Sequence, residues 1–178
     1  TRYNLAQRLV HKAFDSSYSP IVVDDSPDLK VMASFSTLGA IVEKQRLPGM
    51  DGSRRQVFGF AENYFQTTYG DEDAITIWAE PEKDDIVNLI PLLIAPIQND
   101  EADIVIAGRT PASWSTYPSI QMQSEEVANT VYRHMTGIDA DPMFGPVAFS
   151  RKVAMFFTTC NPRSFGVTTG YIQHVAPL

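Results

Sequence analysis

Short apolar runs separated by segments of helical pattern constrain the fold of this chain more than any other feature of its sequence. The runs PIVVDD, AITIWAE and ADIVIAGR each contain several β-branched residues and end in acids or in Gly and Arg. A weaker run covers residues 40–43. Unbroken apolar runs of this length are typical of strands that are buried on both faces. Their alternation with helices predicts an α/β fold with three layers, α/β/α, around a mostly parallel central sheet.

Helical patterns fill the segments between these runs. Asn4 is a candidate cap for the first helix, and Ser124 is one for a helix that stops at Gly137. Pro91 and Pro96 predict that the helix in KDDIVNLIPLLIAPIQ is bent or split. Further helices are predicted in GMDGSRRQVFGFAENYFQ and, after Ser150, in RKVAMFF, whereas in IDADPMFGPVAFS a loop is predicted to hold Asp139 and Asp141, followed by Gly145 and Pro146.

Length and charge limit the classes of function. A chain of 178 residues suits a single domain. A net charge of −7 repels phosphate backbones, so nucleic acid is not an expected partner. Because the chain has neither an apolar run long enough to cross a bilayer nor a signal-peptide pattern, we expect no transmembrane segment and a cytoplasmic location. The single Cys160 excludes a disulfide framework within the chain and a cysteine-based zinc site.

Ligands of mostly parallel α/β sheets bind outside the carboxyl ends of the strands. This rule selects the residues that directly follow the predicted strands as neighbours around one crevice. They are Asp24, Asp25, Glu80, Glu82, Gly108 and Arg109.

Glu80 and Glu82 have two interpretations. They lie two positions apart, so both side chains can point to one side of an extended chain, as a site for Mg²⁺ or Mn²⁺ with a diphosphate requires. Pro81 between them also suits the first turn of a helix, where acids favour the positive end of the helix dipole. Local chemistry favours the helix start, and the context of the whole chain favours the metal site.

Three other pairs of charged residues are candidates. They are Asp24 with Asp25, Arg54 with Arg55, and Asp139 with Asp141. The first pair can accept hydrogen bonds from a nucleobase or ribose, the second can contact phosphate or base, and the third can supply a general base for an acceptor hydroxyl. The alternatives are a solvated turn, a solvated helix surface and a turn built from Asp, Pro and Gly.

Aromatic residues and motifs add little to this set. Trp114, Tyr117 and Met122 fit either a mobile acceptor loop that stacks on a sugar ring or a buried packing role. The histidines lack metal-ligand spacing. The chain has no G-x-S-x-G, G-x-x-x-x-G-K-[ST] or H-E-x-x-H motif, so it gives no support to the common hydrolases, P-loop proteins or zinc proteases.

Taken in order, these pieces resemble a nucleotide-diphospho-sugar transferase of the GT-A fold, of the family 2-like glycosyltransferases. TRYNLAQRL is similar to the family's first turn and helix, IVVDDSPD to its strand ending in acids, and GMDGSRRQVFGFAEN to its Gly-rich and basic segment. EPE, residues 80–82, stands where the family has its metal-binding D-x-D. ADIVIAGRT and DADPMFGPVAFSRKVA resemble its later strand and its acceptor-side stretch, so the resemblance extends from Thr1 to about Ala154.

The resemblance implies roles for individual residues. A nucleoside diphosphate sugar would be the donor and a hydroxyl the acceptor, with either inversion or retention at the sugar carbon. The nucleotide pocket would use Thr1, Tyr3, Asn4, Asp24, Asp25, Arg54, Arg55 and Arg109. Glu80 and Glu82 would hold Mg²⁺ or Mn²⁺, and Asp141 or Asp139 would be the acceptor-side base.

Departures from the family pattern leave alternatives. Glutamates replace both metal-binding aspartates, the first strand is missing, and little of the chain matches the family's acceptor region. We therefore expect residues 1–178 to be one GT-A-like domain, truncated at its first strand and at its acceptor region. The alternatives are a nucleotidyltransferase-like relative and a non-catalytic domain that has lost the metal site.

Overall fold

The computed structural model describes residues 1–70 and 72–159. Cys160 and the C-terminal segment SFGVTTGYIQHVAPL, which the sequence suggests is a remnant of an acceptor lid, lie outside these residues.

Helices and short strands alternate along the described chain, as the sequence predicts. The helices are α1 Arg2–Asp15, α2 Leu29–Thr37, α3 Gly49–Tyr69, α4 Ile90–Gln98, α5 Pro111–Trp114, α6 Ser119–Thr136 and α7 Arg151–Thr159. The strands are β1 Ile21–Asp24, β2 Ile41–Lys44, β3 Ile75–Trp78, β4 Ile104–Ile106 and β5 Val147–Ser150. Two 3₁₀ helices cover Asp84–Leu89 and Pro142–Phe144.

The strands form two sheets where the sequence predicts one mostly parallel sheet. β1 pairs with β2 in parallel, from Ile21 opposite Ile41 to Asp24 opposite Lys44. The second sheet has the order β3-β5-β4, and β5 runs antiparallel to both neighbours. The α/β class is therefore confirmed, whereas a continuous, mostly parallel sheet is absent from the described part of the chain.

β5 is the strand that the sequence prediction missed. Asp, Pro and Gly ahead of this segment indicate a turn, and the sequence pattern predicts no strand after it. In the structure Val147, Ala148 and Phe149 are fully buried in the middle of the second sheet. A strand of four residues beside Gly145 and Pro146 has too little periodicity to be recognised without its neighbours.

The two faces of the second sheet carry different helices. On one face Phe58 of α3 packs against Val147, Phe149 and Trp78. On the other face α4 packs against Ala148, and Leu9 of α1 joins the same cluster. The alternation of side chains along each strand explains this division, since neighbouring residues point to opposite faces.

Helix α1 reaches both sheets. Leu9 belongs to the cluster on β3, while Val10 packs in a third cluster with Phe35 of α2 and with Val22 and Val42 of the parallel sheet. Successive helix positions are about 100° apart. One side of α1 therefore packs against the parallel sheet, and another side packs against the second sheet.

The four strands β1 to β4 point in the same direction. Arg2, at the start of α1, binds Glu82 in the loop after β3, and Phe14, near its end, lies against Gly39 just before β2. On α3, Gln56 donates to the carbonyl of Lys44 at the end of β2. The carboxyl ends of these strands therefore meet at one edge, here called the ligand edge.

Helix boundaries correct two predicted caps. Thr1, rather than Asn4, caps α1, because its Oγ1 accepts the N–H of Asn4 at 3.4 Å. Helix α6 begins at Ser119, so Ser124 lies inside it. The split at Pro91 is confirmed, since the 3₁₀ helix gives way to α4 at Ile90.

Among the described residues, no helix combines the length and the apolar character needed to cross a membrane.

Candidate functional site

Glu80 lies on the ligand edge in close contact with the turn that leads into β5. A Cβ atom at Gly145 would lie 2.8 Å from its Oε2. Gly145 has φ +106°, a conformation that glycine adopts without strain. The Lys83 ammonium is 3.8 Å from the Glu80 carboxylate and 4.5 Å from the ring centre of Phe144. Glu80 is therefore a partly exposed carboxylate, held between a glycine and a lysine.

Glu82 has a different binding partner from Glu80. Its carboxylate is 2.6 Å from Nε of Arg2, and both side chains are largely exposed. Nearby acids of the same segment are also paired with α1, since Arg8 and Lys12 donate to Asp84 at 3.0 and 3.2 Å. The pKa of Asp84 is held below its ordinary value, mainly by the hydrogen bond from Arg8 and then by that from Lys12.

A cation on this edge would have few protein ligands. Within residues 1–70 and 72–159 there is no group of three or more His, Cys, Asp or Glu side chains that could hold a metal ion. Mg²⁺ commonly takes only one or two carboxylates and completes its shell with phosphate oxygens and water. Glu80 alone meets this smaller requirement. Glu80 together with Glu82 would also meet it if Glu82 lost its ion pair with Arg2.

Arg109 and Asp141 are bound to each other. Arg109 Nε lies 2.7 Å from Oδ2 of Asp141, Nη2 lies 2.6 Å from Oδ1, and the backbone N–H of Arg109 also donates to Oδ2. Nη1 donates to Glu125, and the Asn129 amide donates to Asp141 at 2.8 Å. The Arg109 side chain is only 1 % exposed.

Aromatic rings complete the surroundings of Arg109. The guanidinium carbon is 3.7 Å from the ring centre of Trp114, 4.9 Å from that of Tyr117 and 5.7 Å from that of Phe144. This arrangement supports the packing interpretation of Trp114. Cation–π contacts are strongest when the cation is desolvated, so the rings and the acids together stabilise a buried charge.

The acceptor-side acids have unequal access to solvent. Burial raises the pKa of the Asp141 carboxyl, but the hydrogen bonds from Arg109 and Asn129 outweigh it and keep that pKa below its ordinary value. Both Asp141 oxygens are engaged. Asp139 is exposed and lies 3.0 Å from Nε of Arg133. Asp139 is therefore more accessible to solvent than Asp141, which holds Arg109.

The turn after β1 has an ordered carboxylate next to an exposed one. Asp24 accepts the Ser26 N–H at 2.8 Å and its hydroxyl at 3.0 Å. Lys44 Nζ donates to the carbonyl of Ser26 at 2.6 Å, which ties this turn to the end of β2. Asp25 is exposed and free to meet a ligand. The pair thus lies at the carboxyl end of β1, on the ligand edge.

The predicted nucleotide residues of α1 lie at the start of that helix. Thr1 caps it, Asn4 is exposed, and the Tyr3 hydroxyl is 2.6 Å from Oγ of Ser34 on α2. Gln7 also donates to that hydroxyl, at 3.0 Å. Tyr3 therefore joins α1 to α2 and remains partly exposed.

The two arginines of α3 have different environments. Arg54 is buried, with its guanidinium carbon 5.1 Å from the ring centre of Trp78 at the end of β3. Arg55 is half-buried and has no hydrogen bond or ion pair among the described residues. Arg54 thus lies beneath the ligand edge, and Arg55 keeps its donors available.

Glu125 and Asn129 were missed by the sequence analysis. They are four positions apart on α6, so they share one face of that helix and meet Arg109 and Asp141 together. Their spacing is a weak signal because exposed acids and amides at this interval are common on helices. The spacing of Glu125 and Asn129 becomes informative only in the structure, where α6 packs against the turn before β5.

Comparison of the chain with protein-family models, with curated proteins and with solved structures gave no match.

Proposed function

We propose that this chain is a GT-A-like glycosyltransferase that moves a sugar from a nucleoside diphosphate sugar to a hydroxyl acceptor with the help of Mg²⁺ or Mn²⁺. One observation carries the proposal: the strands β1, β3 and β4 end at one edge. Asp24 is the last residue of β1, and Asp25, Glu80 and Arg109 come shortly after the ends of β1, β3 and β4. Candidate base, metal and acceptor residues that are far apart in sequence therefore share one side of the molecule.

Donor binding would use the exposed groups of this edge. Asp25 is free to accept hydrogen bonds from the base or ribose, and the turn held by Asp24 and Ser26 fixes its position. Glu80 would bind the cation, which neutralises charge on the leaving diphosphate. Glu82 would also bind the cation once its ion pair with Arg2 is broken. Arg55 would contact a phosphate group of the donor.

The acceptor side would use the turn before β5. Asp139 is the accessible acid in that region and would accept the proton of the acceptor hydroxyl. Asp141 and Arg109 would position this turn relative to Glu80, because their ion pair joins the end of β4 to the segment before Gly145.

The finer fold and the location belong to the same proposal. All three apolar clusters lie between a helix and a sheet, and α1 and α3 each contact both sheets, which supports a three-layer GT-A-like arrangement. A cytoplasmic location remains part of the proposal.

A second candidate is a domain of this fold without transferase activity. The ion pair of Glu82 with Arg2 and the engaged oxygens of Asp141 favour it, since both acids already have protein partners. This candidate predicts nucleotide binding without metal dependence, or no nucleotide binding.

The test is thermal unfolding with UDP, GDP, CDP and ADP, each with Mn²⁺ and then with excess chelator. A ligand at about 100 times its dissociation constant adds roughly 2.7 kcal/mol of stability. We expect a base-selective shift that chelator removes and that Glu80→Gln abolishes. Glu101→Gln, an exposed acid in the turn after α4, is the matched control. A shift that survives both chelator and Glu80→Gln would favour the second candidate.

A further inference from the structure

The backbone of Lys83 is anchored in the loop after β3. Its N–H donates to the carbonyl of Glu80 at 3.0 Å, and its own carbonyl accepts the N–H of Ile86, also at 3.0 Å. Ile86 is buried in the cluster on one face of the second sheet. Lys83 is therefore held next to Glu80 by its backbone as well as by its charge.

The side chain of Lys83 is largely covered, although it carries a charge. Only 19 % of it is exposed. The ammonium lies 4.5 Å from the ring centre of Phe144, and the face of an aromatic ring attracts a cation at this distance. The ring therefore favours the observed position of the ammonium, beside Glu80 on the ligand edge.

The ammonium of Lys83 makes no hydrogen bond within residues 1–70 and 72–159. The Glu80 carboxylate is 3.8 Å away, whereas N–H···O hydrogen bonds are about 2.7–3.2 Å long. An ammonium has three donors, and covering it without acceptors costs free energy. The geometry is that of a cation whose acceptors come from a ligand.

The charges around Lys83 favour a phosphate group as that ligand. Glu82 is already paired with Arg2, so Glu80 is the acid that balances Lys83 among the described residues. A divalent cation bound alone at Glu80 leaves positive charge uncompensated beside Lys83. A diphosphate bound alone leaves negative charge uncompensated beside Glu80. Only the two ligands together restore the balance.

We propose that Lys83 binds the diphosphate of the donor and makes the binding of the cation and the binding of the diphosphate depend on each other. This inference rests on the proposed function, because it concerns the same site. Lys83 repels a cation that binds alone at Glu80 and attracts phosphate oxygens. Since an ammonium acts on phosphate as a point charge, arginine at this position retains the attraction.

The first test measures the binding of pyrophosphate alone, by titration calorimetry with excess chelator. Lys83→Gln should weaken binding by about tenfold or more, the value of hydrogen bonds between charged groups. Lys83→Arg should keep the affinity of the parent chain within about threefold. Lys152→Gln is the matched control and should change nothing. Lys152 also pairs with an acid, Asp103, but it follows the end of β5, away from the ligand edge.

The second test measures the binding of Mn²⁺ alone, by electron paramagnetic resonance. Lys83→Gln should bind Mn²⁺ about two- to fivefold more tightly, because the competing positive charge beside Glu80 is gone. Glu80→Gln should bind it more weakly, and Lys152→Gln should match the parent chain. A purely structural role of Lys83 would weaken the binding of both ligands, so the opposite signs of the two effects identify the proposed role.

Equal affinity of the parent chain and Lys83→Gln for pyrophosphate would overturn the proposal. So would a parent chain that does not bind pyrophosphate, or a loss of Mn²⁺ affinity in Lys83→Gln. Neither assay contains a nucleotide, so this inference and the transferase proposal fail separately. Pyrophosphate binding that needs Lys83, without any nucleotide-dependent shift in unfolding temperature, would support the phosphate site and count against the transferase.

Discussion

The guanidinium of Arg109 and the carboxylate of Asp141 form a two-pronged ion pair, with Nε 2.7 Å from Oδ2 and Nη2 2.6 Å from Oδ1. The pair joins the end of β4 to the turn before β5, although the two residues are 32 positions apart. The sequence predicts nucleotide binding for Arg109 and acceptor activation for Asp141. Their mutual bond engages both side chains, which supports a positioning role for the pair in the proposed function.

Loss of charge on Asp141 should destabilise the fold strongly. Asp141→Asn leaves the buried charge of Arg109 with Glu125 as its only acidic partner among the described residues. Breaking a buried ion pair from one side typically costs about 3–5 kcal/mol. Urea unfolding measures this loss. Asp139→Asn, which removes the exposed pair with Arg133, should cost less than about 1 kcal/mol. Equal losses would contradict the structural role of Asp141.

A fall in pH should destabilise the folded chain because the Asp141 carboxylate becomes protonated. The pKa of Asp141 is lower in the folded chain than its ordinary value, so its contribution to stability is present above about pH 4 and is lost as the pH falls toward the folded pKa. Asp84, whose pKa is also lowered, adds in the same direction. Urea unfolding from about pH 6 to about pH 3 should show a shallower loss of stability in Asp141→Asn than in the parent chain. Parallel curves would show that Asp141 does not titrate differently on folding.

A methyl group at Gly145 should disturb both stability and ligand binding. Gly145→Ala places a Cβ 2.8 Å from Glu80 Oε2 and forces alanine to φ +106°. We expect a loss of at least about 1 kcal/mol in the free energy of unfolding and weaker Mn²⁺-dependent nucleotide binding. Gly59→Ala is the control, because a Cβ in α3 at that position meets nothing within 4 Å. It should stabilise by roughly 0.5–1 kcal/mol and leave binding unchanged.

Removal of Arg2 should strengthen metal binding if Glu82 is a metal ligand. Arg2→Ala breaks an exposed pair, so stability should change by less than about 1 kcal/mol. The freed carboxylate should tighten Mn²⁺-dependent nucleotide binding by about two- to fivefold, which is the value of an exposed ion pair. Titration calorimetry measures this change.

Arg8→Ala serves as the control for Arg2→Ala, since Arg8 belongs to the same helix and binds Asp84. It should leave nucleotide binding unchanged. If both variants bind equally well, Glu82 is not a ligand of the metal.

Several features of the fold were predictable from local pattern. β1, β3 and β4 lie within the three apolar runs, and the break at Pro91 follows from the missing N–H of proline. β5 was not predictable, because its burial depends on two strands far from it in sequence. The partners of Glu82 and Asp141 were not predictable either, because an isolated acid in a sequence does not indicate which basic side chain it will contact in the fold.

Local sequence pattern accounts for the alternation of β1 to β4 with helices and for the residues that follow β1, β3 and β4. Those properties depend on side-chain periodicity and turn chemistry within a few residues. Long-range packing sets the antiparallel position of β5 between β3 and β4, the division of the strands into two sheets and the burial of Arg109 against Asp141. These are contacts between segments distant in the chain, and their free energy depends on which surfaces are brought together and shielded from water.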